Sequence, residues 1–350
     1  MEKVLSKNRS FIMGMAILWV AFYHLPLEEG KNVFLWFVNE IGYGGVDIFI
    51  FLSGFGLFHS LNKNSDLTEY MSKRLKRLLP TYIPFIIVWM IVRKVTYQLY
   101  FTEVFGNLTM TGWWNQDSNQ FNWYVDGIIV LYILAPFIYG YIKKSKNQTI
   151  TILILFSIAM GISFGFFHGK LLIAVSRLPL FILGIGIASL MDKNSTEAKS
   201  DNDGNNKSKF SLIFGITGIV IWNILMIIGL AMAYYFMKLQ VRFDLWHYGL
   251  WWYPFLLVAP GMSLDLGFLG DFLSKYKPTQ LLVKLISAFG NASFEIFLIH
   301  IFIFETAEAK WIKGTGIWTL FFLLSFALGY GYYYLVNRKL LPLLCHRKLK

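Results

Sequence analysis

Apolar residues in this chain run for the length of a bilayer crossing, then stop at short polar interruptions, and the pattern repeats from one end to the other. Windows of about 20 residues, the length a helix needs to cross roughly 30 Å of hydrocarbon, give ten spans: 10–27, 33–61, 79–97, 122–142, 149–167, 171–191, 210–236, 248–266, 281–304 and 316–341. The second is long enough to include a bent or interfacial entrance near Gly42, Gly44 and Gly45. The predicted fold is all-α, a polytopic transmembrane helical bundle of about ten spanning helices.

Composition agrees with that pattern. With 56% hydrophobic residues, 18% aromatics and only 15% charged residues over 350 positions, a soluble domain would expose too much apolar surface. A formal charge of +12 raises the question of nucleic acid, but Lys and Arg fall in clusters between apolar spans, so no nucleic-acid partner is expected and the bilayer is. The single cysteine, Cys345, excludes an internal disulfide framework and any cysteine metal site, and no metal is expected. The run 11–25 lacks a small-residue cleavage site, so the first span is expected to stay in the mature protein.

The clusters orient the spans. Positive charge collects at Lys3, Lys7 and Arg9; at Lys63, Lys73, Arg74, Lys76 and Arg77; at Lys143, Lys144 and Lys146; at Lys193, Lys199, Lys207 and Lys209; at Lys275 and Lys277; and at Arg338, Lys339, Arg347, Lys348 and Lys350. These alternate with poorer loops such as 98–121, which has no Lys or Arg. The positive-inside rule then places both termini in the cytoplasm. Residues 192–209 read as a solvated cytoplasmic linker inside a single membrane domain, 1–341, followed by a basic cytoplasmic tail, 342–350. No internal repeat supports the inverted symmetry common in secondary transporters.

Given that orientation, each polar residue inside an apolar run has a depth. His24 lies near the outer end of span one, and Asp47 in the outer half of span two. Asn122, Trp123, Tyr124 and Asp126 open span four from outside, Arg177 lies about two turns into span six, and His300 is in the outer half of span nine with Glu295 deeper. Single buried charges there cost several kcal/mol unless paired or wet, and pairing of Asp47 with Arg177 or a histidine is the cheapest arrangement.

Plainer readings exist for each. His24 reads equally as an interfacial residue beside Pro26 and Glu28, Asp47 with Arg177 as a structural ion pair, and His300 as a satisfied core histidine. The aromatics Trp113, Trp114, Trp123, Tyr124, Trp246, Trp251, Trp252 and Tyr253 read as an interfacial belt, with stacking on a sugar as the alternative. Lys73, Arg74, Lys76 and Arg77 suit either a lipid-contacting anchor or a phosphate-binding rim. His59, His168, His247 and His346 read as ordinary loop or interface residues, and the sequon at Asn107 carries no weight.

These residues resemble the integral-membrane acyltransferase-3 family, which includes bacterial O-acetyltransferases of surface polysaccharides. The segment 14–24, ending in His24, is similar to the family's opening helix. The segment 44–55, Gly-Gly-Val-Asp-Ile-Phe-Ile-Phe-Leu-Ser-Gly-Phe, matches its most recognisable block, and 74–80, 122–124, 177–184 and 293–300 resemble further blocks in the same order. One departure stands out: many members have an arginine eleven positions before the histidine, where this chain has Met13, with Arg9 a turn earlier.

The resemblance implies transfer of an acyl group, usually acetyl from acetyl-CoA as co-substrate with no permanently bound cofactor, to a hydroxyl of a cell-envelope glycan, in the bacterial cytoplasmic membrane. The expected catalytic residues are His24, Asp47, His300 and Arg177. Asn122, Trp123, Tyr124 and Glu295 are expected to bind the acceptor, and Arg74, Lys76 and Arg77 the acyl-CoA. Polysaccharide-biosynthesis proteins are the expected partners. A multi-span transporter or flippase of a glycan precursor is the alternative.

Overall fold

The computed structural model describes residues 1–27, 32–96, 98–116, 120–200, 215–239, 244–309 and 314–342. In chain order the helices are α1 (Glu2–Lys7), α2 (Arg9–Tyr23), α3 (Val33–Glu40), α4 (Gly44–Lys63), α5 (Leu67–Thr96), α6 (Phe101–Thr109), α7 (Trp123–Lys144), α8 (Gln148–Phe166), α9 (Lys170–Val175), α10 (Leu178–Ser200), α11 (Ile216–Leu239), α12 (Phe255–Leu273), α13 (Lys277–Asn291), α14 (Ser293–Ala309) and α15 (Thr315–Leu335), the last continuing into a π turn, Val336–Leu340. No strand occurs among the described residues.

Among the described residues, eight helical stretches are long and apolar enough to cross a bilayer, and the pair α13 and α14 makes a ninth if counted as one broken span. The tenth expected span is α2, only 15 residues long. It rises about 22 Å, short of a hydrocarbon layer near 30 Å.

Boundaries differ from the hydropathy windows where local chemistry overrides them. The second window splits into α3 and α4 at Ile41, Gly42 and Tyr43, and the sixth into α9 and α10 at Ser176 and Arg177. The ninth is not one straight helix: α13 and α14 meet at 76°. Helix α13 ends at Asn291, and Ser10 donates to Asn291 Oδ1 at 2.7 Å, pinning the corner to α2. Helix α10 runs through Ser200, so the first part of the expected 192–209 linker is helical, with Asp192 accepting from Lys143 Nζ at 2.9 Å. The remainder of that linker with Lys207 and Lys209, Glu28, and 343–350 of the basic tail with Cys345 and His346 lie outside the described residues.

Asparagines start several helices, each side-chain oxygen accepting from a backbone N–H left unpaired by the helix geometry. Asn32 accepts from Leu35, Asn122 from Tyr124 and Asn147 from Ile150. Asn107 is also structural: it is buried, donates to Glu103 O at 2.8 Å and accepts from Phe121 N at 2.8 Å, so its sequon is not presented to solvent. Asp126 accepts from Trp113 N at 2.8 Å and holds the same loop against α7.

The bundle is built outward from α4. The apolar stretches of α4 and of α9 with α10 are each 78% buried, against 17% for α8 and α11, whose Ile154, Ile158, Ile224 and Ile227 face outward as lipid-facing residues do. Between helices in lipid, close packing rather than the hydrophobic effect supplies the attraction, and small residues permit it. Gly54 of α4 lies against the backbone of Phe181, and Gly184 of α10 against the backbone of Phe51, so neither has room for a Cβ. Gly14 of α2 and Gly290 of α13 oppose each other's helices in the same way. Replacing Gly184 by leucine is expected to cost at least about 1–3 kcal/mol through overpacking against backbone that cannot give way. Loss of monodisperse protein in detergent size exclusion, with Ser72→Leu on another helix as the tolerated control, checks this.

Candidate active site

The C-terminus of α2 carries His24, and a buried residue from a different helix fixes it there. Asn39, at the end of α3, donates to Phe22 O and to Leu25 O at 3.3 Å, adding a side-chain donor to two carbonyls that flank His24. Trp19 Nε1 donates to Val38 O at 2.8 Å and ties the same two helices together. Across the gap, His300 sits two turns into α14, fully buried, and the two imidazoles are 5.3 Å apart at 61°. Phe304 lies 6.0 Å from one ring and 6.1 Å from the other.

The hydrogen bonds of His300 set its tautomer. Its Nδ1 is 3.2 Å from Ile296 O, and a carbonyl only accepts, so Nδ1 carries the proton and Nε2 carries the lone pair. That Nε2 is buried with no hydrogen-bond partner. An unpaired lone pair in an apolar layer is costly unless a reacting group uses it.

Beside the histidines lies a buried ion pair. Arg177, at the break between α9 and α10, holds Asp47 of α4 with Nε 3.3 Å from Oδ1 and Nη2 3.4 Å from Oδ2, both side chains being 2% exposed. Arg177 Nη1 donates to Ile173 O, and the guanidinium carbon lies 4.7 Å from the ring centre of Trp123 and 4.7 Å from that of Trp252. Two indole faces and a carboxylate thus replace its water. Asp47 makes its ion pair with Arg177, and no ion pair links it to either histidine among the described residues.

A cavity of about 380 Å³ opens onto His24 and Arg177. Its walls include Tyr23, Tyr43, Asn122, Trp123, Trp246, Trp252, Phe297, Ile301, Phe304, Glu305 and Glu308. The end of α2, the starts of α4, α7 and α10, the segment before α12 and one face of α14 supply them.

A second cavity, of about 80 Å³, lies toward the opposite end of the bundle and is lined by Arg9, Arg74, Arg77, Met13, Gly56, Tyr124 and Tyr132. No Asp or Glu lines it among the described residues. Arg74 Nη2 donates to Ser60 Oγ at 2.7 Å, and Arg9 lies over Gly56, where a Cβ would displace it. Three guanidinium groups converging without a carboxylate among the described residues have the chemistry to receive an anion, because Arg binds phosphate oxygens in pairs.

The residues expected to act together therefore divide between two cavities. His24, Arg177, Asn122 and Trp123 line the first, with His300 and Asp47 directly behind its wall. Tyr124, adjacent to Trp123 on α7, turns to the second. Arg74 and Arg77 line the second as well, whereas Lys76 lies on another side of α5 among Met71, Leu75 and Leu79. Glu295 lines neither: it is buried between helices and accepts from Thr81 Oγ1 at 3.2 Å.

Sequence reasoning passed over Glu305, Glu308, Tyr43 and Asn39. The signal for the two glutamates was present, since Phe297, Ile301, Phe304, Glu305 and Glu308 recur at the spacing of one helix face. Asn39 had no such signal, because its partners come from another helix.

A family model described as an acyltransferase domain matches residues 12–336. Over 82 residues the chain is 37% identical to ORF330 of Acidianus two-tailed virus, a protein named as an acetyltransferase; the match covers 23% of this chain and 24% of that one. The chain thus spans about a quarter of that relative's length. No solved structure matches.

Removing one partner of a buried ion pair leaves the other uncompensated. Arg177→Ala is expected to destabilise the bundle by about 3–5 kcal/mol, and Asp47→Asn in the same chain to recover part of that. Unfolding of the single and double variants in detergent measures both.

Proposed function

The chain belongs to the acyltransferase-domain family, and from that premise we propose that it is a membrane-bound O-acyltransferase that moves an acyl group, acetyl in the first instance, from acyl-CoA to a hydroxyl of a cell-envelope glycan. The observation that carries this reading is the imidazole pair, with the unpartnered Nε2 of His300 buried 5.3 Å, ring to ring, from His24. A buried imidazole with a free lone pair is the group that takes a proton from a hydroxyl near neutral pH.

In this reading His24, which opens on the cavity, is the essential imidazole, and His300 is the second base. One imidazole removes the proton of the acceptor hydroxyl as its oxygen attacks the thioester carbonyl. The carbon–sulfur bond then breaks, and the departing CoA sulfur receives a proton from the imidazolium. Arg177 is the cation beside the negative charge that develops on the carbonyl oxygen. Asp47 acts through Arg177, holding its guanidinium between Trp123 and Trp252. Asn122 and the indoles of the cavity supply a polar group and stacking faces suited to a sugar.

The donor enters from the other end. The cavity of Arg9, Arg74 and Arg77 suits the phosphates of CoA, and Arg9 sits beside Met13, the position at which many relatives have arginine. Under the positive-inside rule this end is cytoplasmic and the histidine cavity faces outward, in what we take to be a bacterial cytoplasmic membrane. Donor and acceptor then approach from opposite sides.

His24→Ala is expected to lower transfer of labelled acetyl from acetyl-CoA to envelope glycans by roughly 10²–10⁴-fold, with the amount of protein unchanged. Normal labelling in that strain would remove His24 from the mechanism, and membranes in which the wild-type chain transfers no label would favour a glycan transporter. Arg74→Ala with Arg77→Ala is expected to raise KM for acetyl-CoA about tenfold or more while leaving KM for the acceptor near its original value. Initial-rate kinetics with each substrate varied in turn distinguish the two effects.

A further inference from the structure

The two cavities do not join. Among the described residues they share one wall residue, Phe297 of α14. Its ring is 4.9 Å from that of Tyr124, which lines the arginine cavity, and 5.3 Å from that of His300, which backs the histidine cavity. His300 in turn is 5.3 Å from His24. One line of ring contacts from one cavity to the other runs through Tyr124, Phe297, His300 and His24, with Phe297, 4% exposed, as the only member that touches both spaces.

Phe297 and His300 are three residues apart on one helix face, so their rings sit about one turn, roughly 5 Å, from each other along the membrane normal. An acyl group held on a thioester in the arginine cavity meets the Phe297 ring at the shared wall on its way to His300. Each methylene added to the acyl chain must also lodge against that ring, where a contact or clash worth one methylene changes rates about tenfold or more. With the ring in place, water in the arginine cavity is kept from the imidazoles, and water that reached them would take the acyl group in place of the hydroxyl.

We infer that Phe297 is the specificity-determining septum between the donor and acceptor cavities, admitting a short acyl group to the histidines while excluding longer chains and water. This rests on the acyl-transfer reading and deepens it. Phe297 touches neither proton nor acyl bond in the reaction and acts by occupying the passage.

The test uses the full chain purified in detergent with acetyl-CoA and hexanoyl-CoA as probes, the released CoA thiol being read with a colorimetric reagent, with and without added envelope membranes as acceptor. Phe297→Ala is expected to lower the acetyl-to-hexanoyl preference about tenfold or more and to raise CoA release in the absence of acceptor. Phe297→Trp is expected to slow both donors, and Phe297→Leu, which keeps most of the volume, to fall between Ala and the wild-type chain. Should the Ala variant fail to give monodisperse protein, the Leu variant decides. Folded Ala and Leu variants that keep the wild-type preference and the wild-type dependence on acceptor would overturn the septum and leave the acyltransferase reading standing. Absence of CoA release from either donor by the wild-type chain would overturn that reading and the septum with it.

Discussion

The ion pair between Asp47 and Arg177 joins the two most buried parts of this bundle. Asp47 stands in the first turn of α4 and Arg177 at the start of α10, and lower down the same interface Gly54 and Gly184 let the two backbones meet without intervening side chains. Close packing supplies attraction that lipid does not, but on its own it leaves the helices free to slide. A charge pair with 2% exposure removes that freedom, since a shift of one turn would leave two unpaired charges in an apolar layer.

That one pair also arranges the space around it. Arg177 draws Trp123 of α7 and Trp252 from the segment before α12 onto its two faces, and these indoles become walls of the cavity that holds His24. Its Nη1 contact to Ile173 O ties in α9. Helix α2 ends at Tyr23, so His24 stands at its C-terminus, and Asn39 of α3 donates to the carbonyls of Phe22 and Leu25 on either side of it. The stability of the helix end and the position of the imidazole are the same arrangement seen from two sides.

Separating a polycationic cavity from an imidazole cavity suits chemistry between a phosphate-bearing donor and a hydroxyl acceptor. The arginines need water and counter-charge, whereas a base that is to act on a hydroxyl gains from being kept dry. One helix, α14, meets both demands by presenting Phe294 and Phe297 to the arginine side and Ile301, Phe304, Glu305 and Glu308 to the other.

Length of apolar run and clustering of Lys and Arg were enough, from the sequence alone, to define a multi-pass helical bundle, because a bilayer imposes one length scale on every crossing. Polar residues inside those runs stood out for the same reason, which brought His24, Asp47, Arg177 and His300 to notice before any coordinates. Hydropathy has no information on which face of a helix a residue occupies relative to a distant helix. Only the tertiary structure therefore decided that Asp47 pairs with Arg177 rather than a histidine, that Tyr124 turns away from its neighbour Trp123 toward the arginines, that Lys76 parts from Arg74 and Arg77, and that Asn39 secures His24. Each of those outcomes depends on side chains brought together by packing between helices far apart in sequence, a contact that no local pattern encodes.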